Sequence, residues 1–157
     1  MSQVAFFRNL NQGQRNSPSS AQLLEAFAGA EPRLVRGNGT VLFTGAPAVL
    51  AVAVAYLVEH TGWDDVAFAR EAGWLAGLLD RIDEPEGRTE LTLFDEGRQL
   101  VLPVAGARCA VIRAGAGYAV TVNATEGISD ATPTVEKVLG VRATSRGLST
   151  IRLGLAR

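Results

Sequence analysis

The sequence predicts an α+β chain whose antiparallel sheets carry helices packed on one face. Three observations predict it. Short β-rich runs interleave with two apolar segments of helical spacing over residues 1–70. Gly37-Asn38-Gly39 stands between two such runs as a hairpin turn would, because Asn and Gly tolerate positive φ. Several further strand-like runs, separated by Gly-containing turns, fill the second half.

The elements follow in order. Residues 4–7 are four apolar residues in a row and predict a buried strand. Ser17 then Pro18 predict an N-cap and a first helical position. That helix runs to Phe27, with Leu23, Leu24 and Phe27 on one face, and stops at Gly29. Residues 33–36 and 40–44 are the hairpin strands. Pro47 starts a second helix over 46–60, apolar nearly all round and therefore expected to be well buried. Residues 66–70 are a fourth strand. The succession β-α-β-β-α-β within 70 residues is the ferredoxin-like arrangement, and 1–70 is taken as one half of the protein.

The second half, 71–157, is degenerate by comparison. A helix is expected over 71–82, with Trp74, Leu75, Leu78 and Leu79 as its apolar face. Strands are expected at 90–94, 99–104, 107–113 and 117–122. A short helix follows at 134–139. A terminal helix is expected over 144–156, weakened by Gly147 and Gly154.

Composition narrows the function classes. The chain has 157 residues, 47% of them hydrophobic, enough for one domain or two small halves sharing a core. Fifteen basic residues against 16 acidic ones give a net charge of −1, which argues against a nucleic-acid partner. Lys137 is the only lysine. Cys109 is the only cysteine, so no intrachain disulfide forms. The longest apolar run, 46–58, is shorter than the roughly 20 residues that span a bilayer. No charged segment leads into an apolar run at the start. A cytoplasmic protein without membrane contact is expected.

Catalytic chemistry finds little support. His60, the only histidine, ends the second helix, where a cation suits the dipole. Cys109 sits inside the apolar run "ARCAVIR", the setting of an inert buried thiol. One Cys and one His do not make a zinc site, so no metal is expected. The carboxylates at Asp80, Asp83, Glu84, Glu86, Asp95 and Glu96 fall in loops or turns. "RAGAGYAV" lacks the Lys-Ser/Thr ending of a phosphate loop and reads as a hairpin. No catalytic residue is assigned, and no cofactor.

What remains is polar and local. After the first strand comes "RNLNQGQRN", rich in hydrogen-bonding groups. With the usual strand order 4-1-3-2, this loop and the Gly-Asn-Gly hairpin share one rim of the sheet, with Trp63 and Asp64 beside them. Arg8, Asn11 and Asn38 are therefore candidate ligand-binding residues. The competing reading is a structural brace between loop and hairpin.

The same residues resemble a bacterial family catalogued as domain of unknown function 1697. There an apolar strand runs into Leu-Arg-Gly-Ile-Asn-Val-Gly-Gly, and a Ser-Gly-Asn-Val-Val-Phe hairpin strand follows a helix. Phe7-Arg8-Asn9-Leu10-Asn11-Gln12-Gly13-Gln14 matches at Arg8, Asn11 and Gly13. Arg36-Gly37-Asn38-Gly39-Thr40-Val41-Leu42-Phe43 matches at Gly37 and Asn38. Residues 66–70 resemble the family's apolar strand ending in Arg. Near the C-terminus Thr144, Arg146 and Thr150 match, while an Asn-Trp pair is replaced by Gly147-Leu148. Residues 85–130 match poorly, so the chain is identified as a divergent member. The resemblance implies two ferredoxin-like halves and no assigned activity. It adds Arg146 and Thr150 to the candidate ligand-binding set, as part of a polar seam between the halves.

The expected role is a noncatalytic binding or protein-interaction module, with a homodimer through an open sheet edge, or another protein partner, as its contact. The alternative is a binder of a small anion, phosphate or carboxylate, or an enzyme acting on one through an Arg/Asn seam. The two differ in what Arg8 and Arg146 touch. A ligand site needs them free of protein carboxylates; an interaction module has them satisfied internally.

Overall fold

A computed structural model describes residues 1–156. The protein is an α+β chain with two antiparallel sheets and helices packed on them. The chain divides into two compact units, 1–78 with 153–156, and 79–152.

The first unit opens with β1 (Ser2–Phe7), α1 (Ser20–Ala26), β2 (Arg33–Val35), β3 (Thr40–Thr44), α2 (Ala48–His60) and β4 (Ala67–Glu71), and leads into α3 (Ala72–Leu79). Its sheet has the order β2-β3-β1-β4, the 4-1-3-2 order expected. β1 pairs antiparallel with β3 (Ala5 opposite Val41) and with β4 (Ala5 opposite Ala69). Alternation sends Ala5 and Phe7 to one face, where they join Val41, Phe43, Leu23, Phe27, Ala53, Leu57 and Trp63 in one core. Aromatic edges lock this core. Phe7 meets Phe27 at 5.9 Å and 88°, and Trp63 at 5.4 Å and 69°. The other face of the sheet is covered too, since Val4, Phe6 and Leu42 are also buried. On that side Arg33 Nη2 donates to Gly154 O at 2.7 Å. A cleft of about 420 Å³ is lined there by Ser2, Leu42, Ala72, Gly154 and Leu155.

Three expectations for this unit need correction. α1 starts two residues late, at Ser20, because Ser19 and Gln22 form a capping box. Ser19 Oγ accepts from Gln22 N at 3.2 Å, and Gln22 Oε1 accepts from Ser19 N at 2.9 Å. Ser17 Oγ is used elsewhere, by Asn11 N. Next, α2 is not buried all round: only Ala53 and Leu57 are buried, and Val52 is 68% exposed. Finally, Glu71 extends β4 opposite Gln3, so α3 is shorter than the 71–82 segment.

The second unit contains β5 (Thr89–Leu93), preceded by a 3-10 turn at Glu86–Arg88, then β6 (Val104–Ala105), β7 (Cys109–Gly115), β8 (Tyr118–Asn123), α4 (Ala131–Leu139), β9 (Thr144–Gly147) and α5 (Leu148–Leu155), whose last residues belong to the first unit. The sheet order is β6-β7-β8-β5-β9, antiparallel throughout. α4 packs Val135 onto Val111, Ala119 and Phe94.

Here the sequence expectations shift further. The first four residues of the expected terminal helix form β9, pairing with β5 from Leu93 opposite Thr144 to Glu90 opposite Gly147. A long-range ladder overrides local preference there. The 99–104 run reduces to a bridge at Gln99 and the two-residue β6, since Pro103 has no N–H to give a ladder. β7 carries a bulge between Val111 and Arg113. α4 begins three residues early, at Ala131. Pro133 falls in its first turn, where a missing N–H leaves no helical bond unmade.

Candidate functional site

The loop after β1 is built against the hairpin and the corner before β4. Phe7 N donates to Gly39 O at 2.8 Å, Gln12 N to Gly37 O at 2.9 Å, and Arg8 N to Val66 O at 2.9 Å. Gly39 sits at φ +74, and a Cβ there would lie 3.1 Å from the carbonyl oxygens of Phe7 and Leu10. Only glycine fits that approach. Arg8, Asn11 and Asn38 therefore belong to one rim, on the loop and hairpin that these bonds tie together.

On that rim Arg8 and Asn38 are engaged by other groups of the protein. Arg8 Nη1 donates to Asp65 Oδ2 at 2.9 Å. Asn9 Nδ2 donates to the same oxygen at 3.0 Å, and Val66 N donates to Asp65 Oδ1 at 2.8 Å. The Trp63 indole N–H donates to Arg8 O at 2.8 Å. Asn38 Oδ1 accepts from Thr40 Oγ1 at 2.9 Å, across its own turn. Asn11 is exposed, and its backbone N–H is held by Ser17 Oγ at 3.3 Å. Three donors on one carboxylate make Asp65 the centre of a clamp. Sequence reasoning placed Trp63 and Asp64 here but missed Asp65. Of two adjacent aspartates, only the register of β4 on β1 tells which one turns inward.

Arg146 and Thr150 lie in the second unit, and both are buried. Arg146 stands on β9 opposite Leu91. Its Nη1 donates to Thr144 Oγ1 at 2.7 Å and to Ser145 O at 2.8 Å. Burial pushes this guanidinium down from the ordinary arginine range to about 10, and the Glu90 carboxylate opposes that shift. It stays charged at neutral pH. Thr150 is carried by α5.

A second polar cluster, absent from the sequence expectations, lies between α4 and its sheet. Glu90 Oε2 accepts from Asn123 Nδ2 at 2.7 Å and from Ser129 Oγ at 2.6 Å. Ser145 Oγ shares hydrogen bonds of 2.6 Å with both Thr92 Oγ1 and Thr132 Oγ1. Cys109 Sγ lies 3.3 Å from Thr134 Oγ1 and 3.6 Å from Asp130 O. The Thr121 hydroxyl is buried without a hydrogen-bond partner. Hydroxyls dominate this set, and a network of this kind fixes how α4 seats on its sheet. The period-2 spacing of Thr92, Thr121 and Asn123 in their strands was the available signal. Among the described residues, no group of three or more His, Cys, Asp or Glu is arranged to hold a metal ion. No helix among them is long and apolar enough to cross a membrane.

Neither a family model nor a curated protein sequence matches the chain. Among solved structures, it is similar to the conserved bacterial protein SP0830 from Streptococcus pneumoniae. The TM-score is 0.64 at 15% identity, over 99% of this chain and 98% of that one. At that identity the likeness shows the fold alone.

Proposed function

We propose that this chain is a noncatalytic binding module of the cytoplasm that works by contacting protein. One observation carries the reading: the Arg8 guanidinium is already engaged by Asp65 within the rim. An anion site built on Arg8 has to displace it from a carboxylate that also holds Asn9 and Val66. Arg146, the other candidate cation, is buried against acceptors of its own strand. A protein-contacting role also gives a reason for the apolar side chains that α2 leaves in solvent.

The first unit is read as ferredoxin-like, supported by its βαββαβ succession and 4-1-3-2 order. The second is read as a degenerate relative with five strands. Membership of the family catalogued as domain of unknown function 1697 is proposed on Arg8, Asn11, Gly13, Gly37, Asn38, Thr144, Arg146 and Thr150.

A thermal-shift screen against phosphate, nucleotides and small carboxylates tests the role. The expected result is no saturable stabilisation. A stabilisation that saturates and disappears in Arg8→Ala establishes the small-anion site and overturns the reading.

A further inference from the structure

We propose that the outer face of α2 is a self-association surface for a second copy of this chain, two α2 helices packing antiparallel. The inference rests on the protein-contacting reading and names its partner.

The composition of α2 and its exposure do not match. A helix apolar on all sides is normally buried on all sides. α2, AVLAVAVAYLVEH, has no charged residue before Glu59, yet only Ala53 and Leu57 are buried. Its opposite face carries Ala48, Val52, Ala55 and Glu59, all exposed. Their spacing is 4-3-4, the seam of a coiled coil. Ala51 and Val58 flank the seam, and both are exposed. On α1, which packs beside α2, Leu24 is also left in solvent. The sheets offer less for self-association. Their edge strands β2, β4, β6 and β9 run from only two to five residues, and short edges resist pairing.

Charge selects the occupant and its direction. The first turn of α2 has no acidic residue and no side-chain cap, so its positive end is uncompensated within the helix. Glu59, 77% exposed, stands on the same seam near the other end. In an antiparallel pair that places Val52 opposite Ala55, Ala48 of each copy falls opposite Glu59 of the other. Each carboxylate then meets the positive end of the other copy's helix. The small side chains of Ala48, Ala51 and Ala55 allow close approach of the two axes. A parallel pair would instead set Glu59 against Glu59. The face is therefore complementary to itself under a two-fold axis, as an isologous dimer requires. One helix face of roughly 20 Å by 10 Å is small against the ~800 Å² per partner of a standard interface. The dimer is accordingly weak, with a Kd on the order of 10–100 μM.

Sedimentation equilibrium of the full chain from roughly 10 μM to 1 mM tests this, bracketing that Kd. The wild type is expected to associate reversibly to a dimer. Val52→Asp places a carboxylate on the seam at an exposed position. It is expected to weaken association at least about tenfold without lowering the melting temperature. Glu59→Lys is expected to raise the Kd roughly three- to thirtyfold through its two symmetric contacts. Direction is read by mixing Val52→Cys chains with Ala55→Cys chains. The mixed disulfide is expected to form faster than either homodisulfide. A wild type that stays monomeric, or a Val52→Asp dimer of unchanged strength, overturns the proposal. Failure of the underlying reading is a different result, the Arg8-dependent response to a small anion.

Discussion

Substituting Gly39 by alanine probes the contact between the first loop and the hairpin with one added carbon. Gly39 lies at φ +74, where an L-residue costs about 1–2 kcal/mol. The new Cβ would also stand 3.1 Å from Leu10 Cβ and from the carbonyl oxygens of Phe7 and Leu10. These backbone atoms have little room to yield, because Phe7 N is bonded to Gly39 O at 2.8 Å. Crowding of this kind adds about 1–3 kcal/mol. The sum is about 3 kcal/mol, or a fall in melting temperature of about 6–12 °C at this chain length. Gly13→Ala is the matched control. Gly13 lies at φ +84, and an added methyl would meet nothing within 4 Å, so the dihedral cost stands alone. Urea denaturation followed by circular dichroism measures both. Gly39→Ala is expected to lose at least about 1 kcal/mol more than Gly13→Ala. Equal losses would refute the close approach of loop and hairpin.

Phe7→Ala removes the ring that touches both Phe27 and Trp63, and is expected to destabilise by about 3–5 kcal/mol in the same assay; a loss below about 1 kcal/mol would contradict the packing. For Arg146 the sign follows from linkage. Its folded pKa, about 10, lies below that of a free arginine, so the buried charge opposes folding at every pH below about 10. That penalty recedes as pH rises above about 10. Arg146→Met is therefore expected to be neutral or stabilising at pH 7, and to remove the rise in stability above pH 10; a variant that unfolds would show the guanidinium to be a net stabiliser. Cys109, 8% exposed, is expected to react with a thiol reagent only on the timescale of global opening, and rapid labelling of the native protein would contradict its placement.

The first unit is the more legible half because its signals are local. An apolar run becomes β1, Gly37-Asn38-Gly39 becomes the hairpin, and the order of elements implies the order of strands. The Ser19–Gln22 capping box is equally local, but Ser17-Pro18 offers a competing start two residues earlier. Elsewhere the deciding interaction lies far away in the chain. Thr144–Gly147 becomes a strand because β5 offers an edge, about 50 residues earlier. The bulge in β7 shifts its register on β8 between Val111 and Arg113, and no local pattern announces it. Hydropathy places α2 on the sheet, but does not reveal that the fold leaves its outer face open. The candidate site is legible as a neighbourhood and not as a set of contacts. Arg8, Asn11 and Asn38 share a rim, while the residue that decides what Arg8 can do, Asp65, comes from 57 positions away.

The central claim is that Asp65 holds Arg8 as part of the fold. A double-mutant cycle of Arg8→Ala and Asp65→Ala, read by urea denaturation, measures that pair directly. A part-buried, charge-assisted bond predicts a coupling of about 1–2 kcal/mol, with both single variants destabilised. A coupling near zero, with Arg8→Ala as stable as the wild type, would leave Arg8 available to another partner and would contradict that claim.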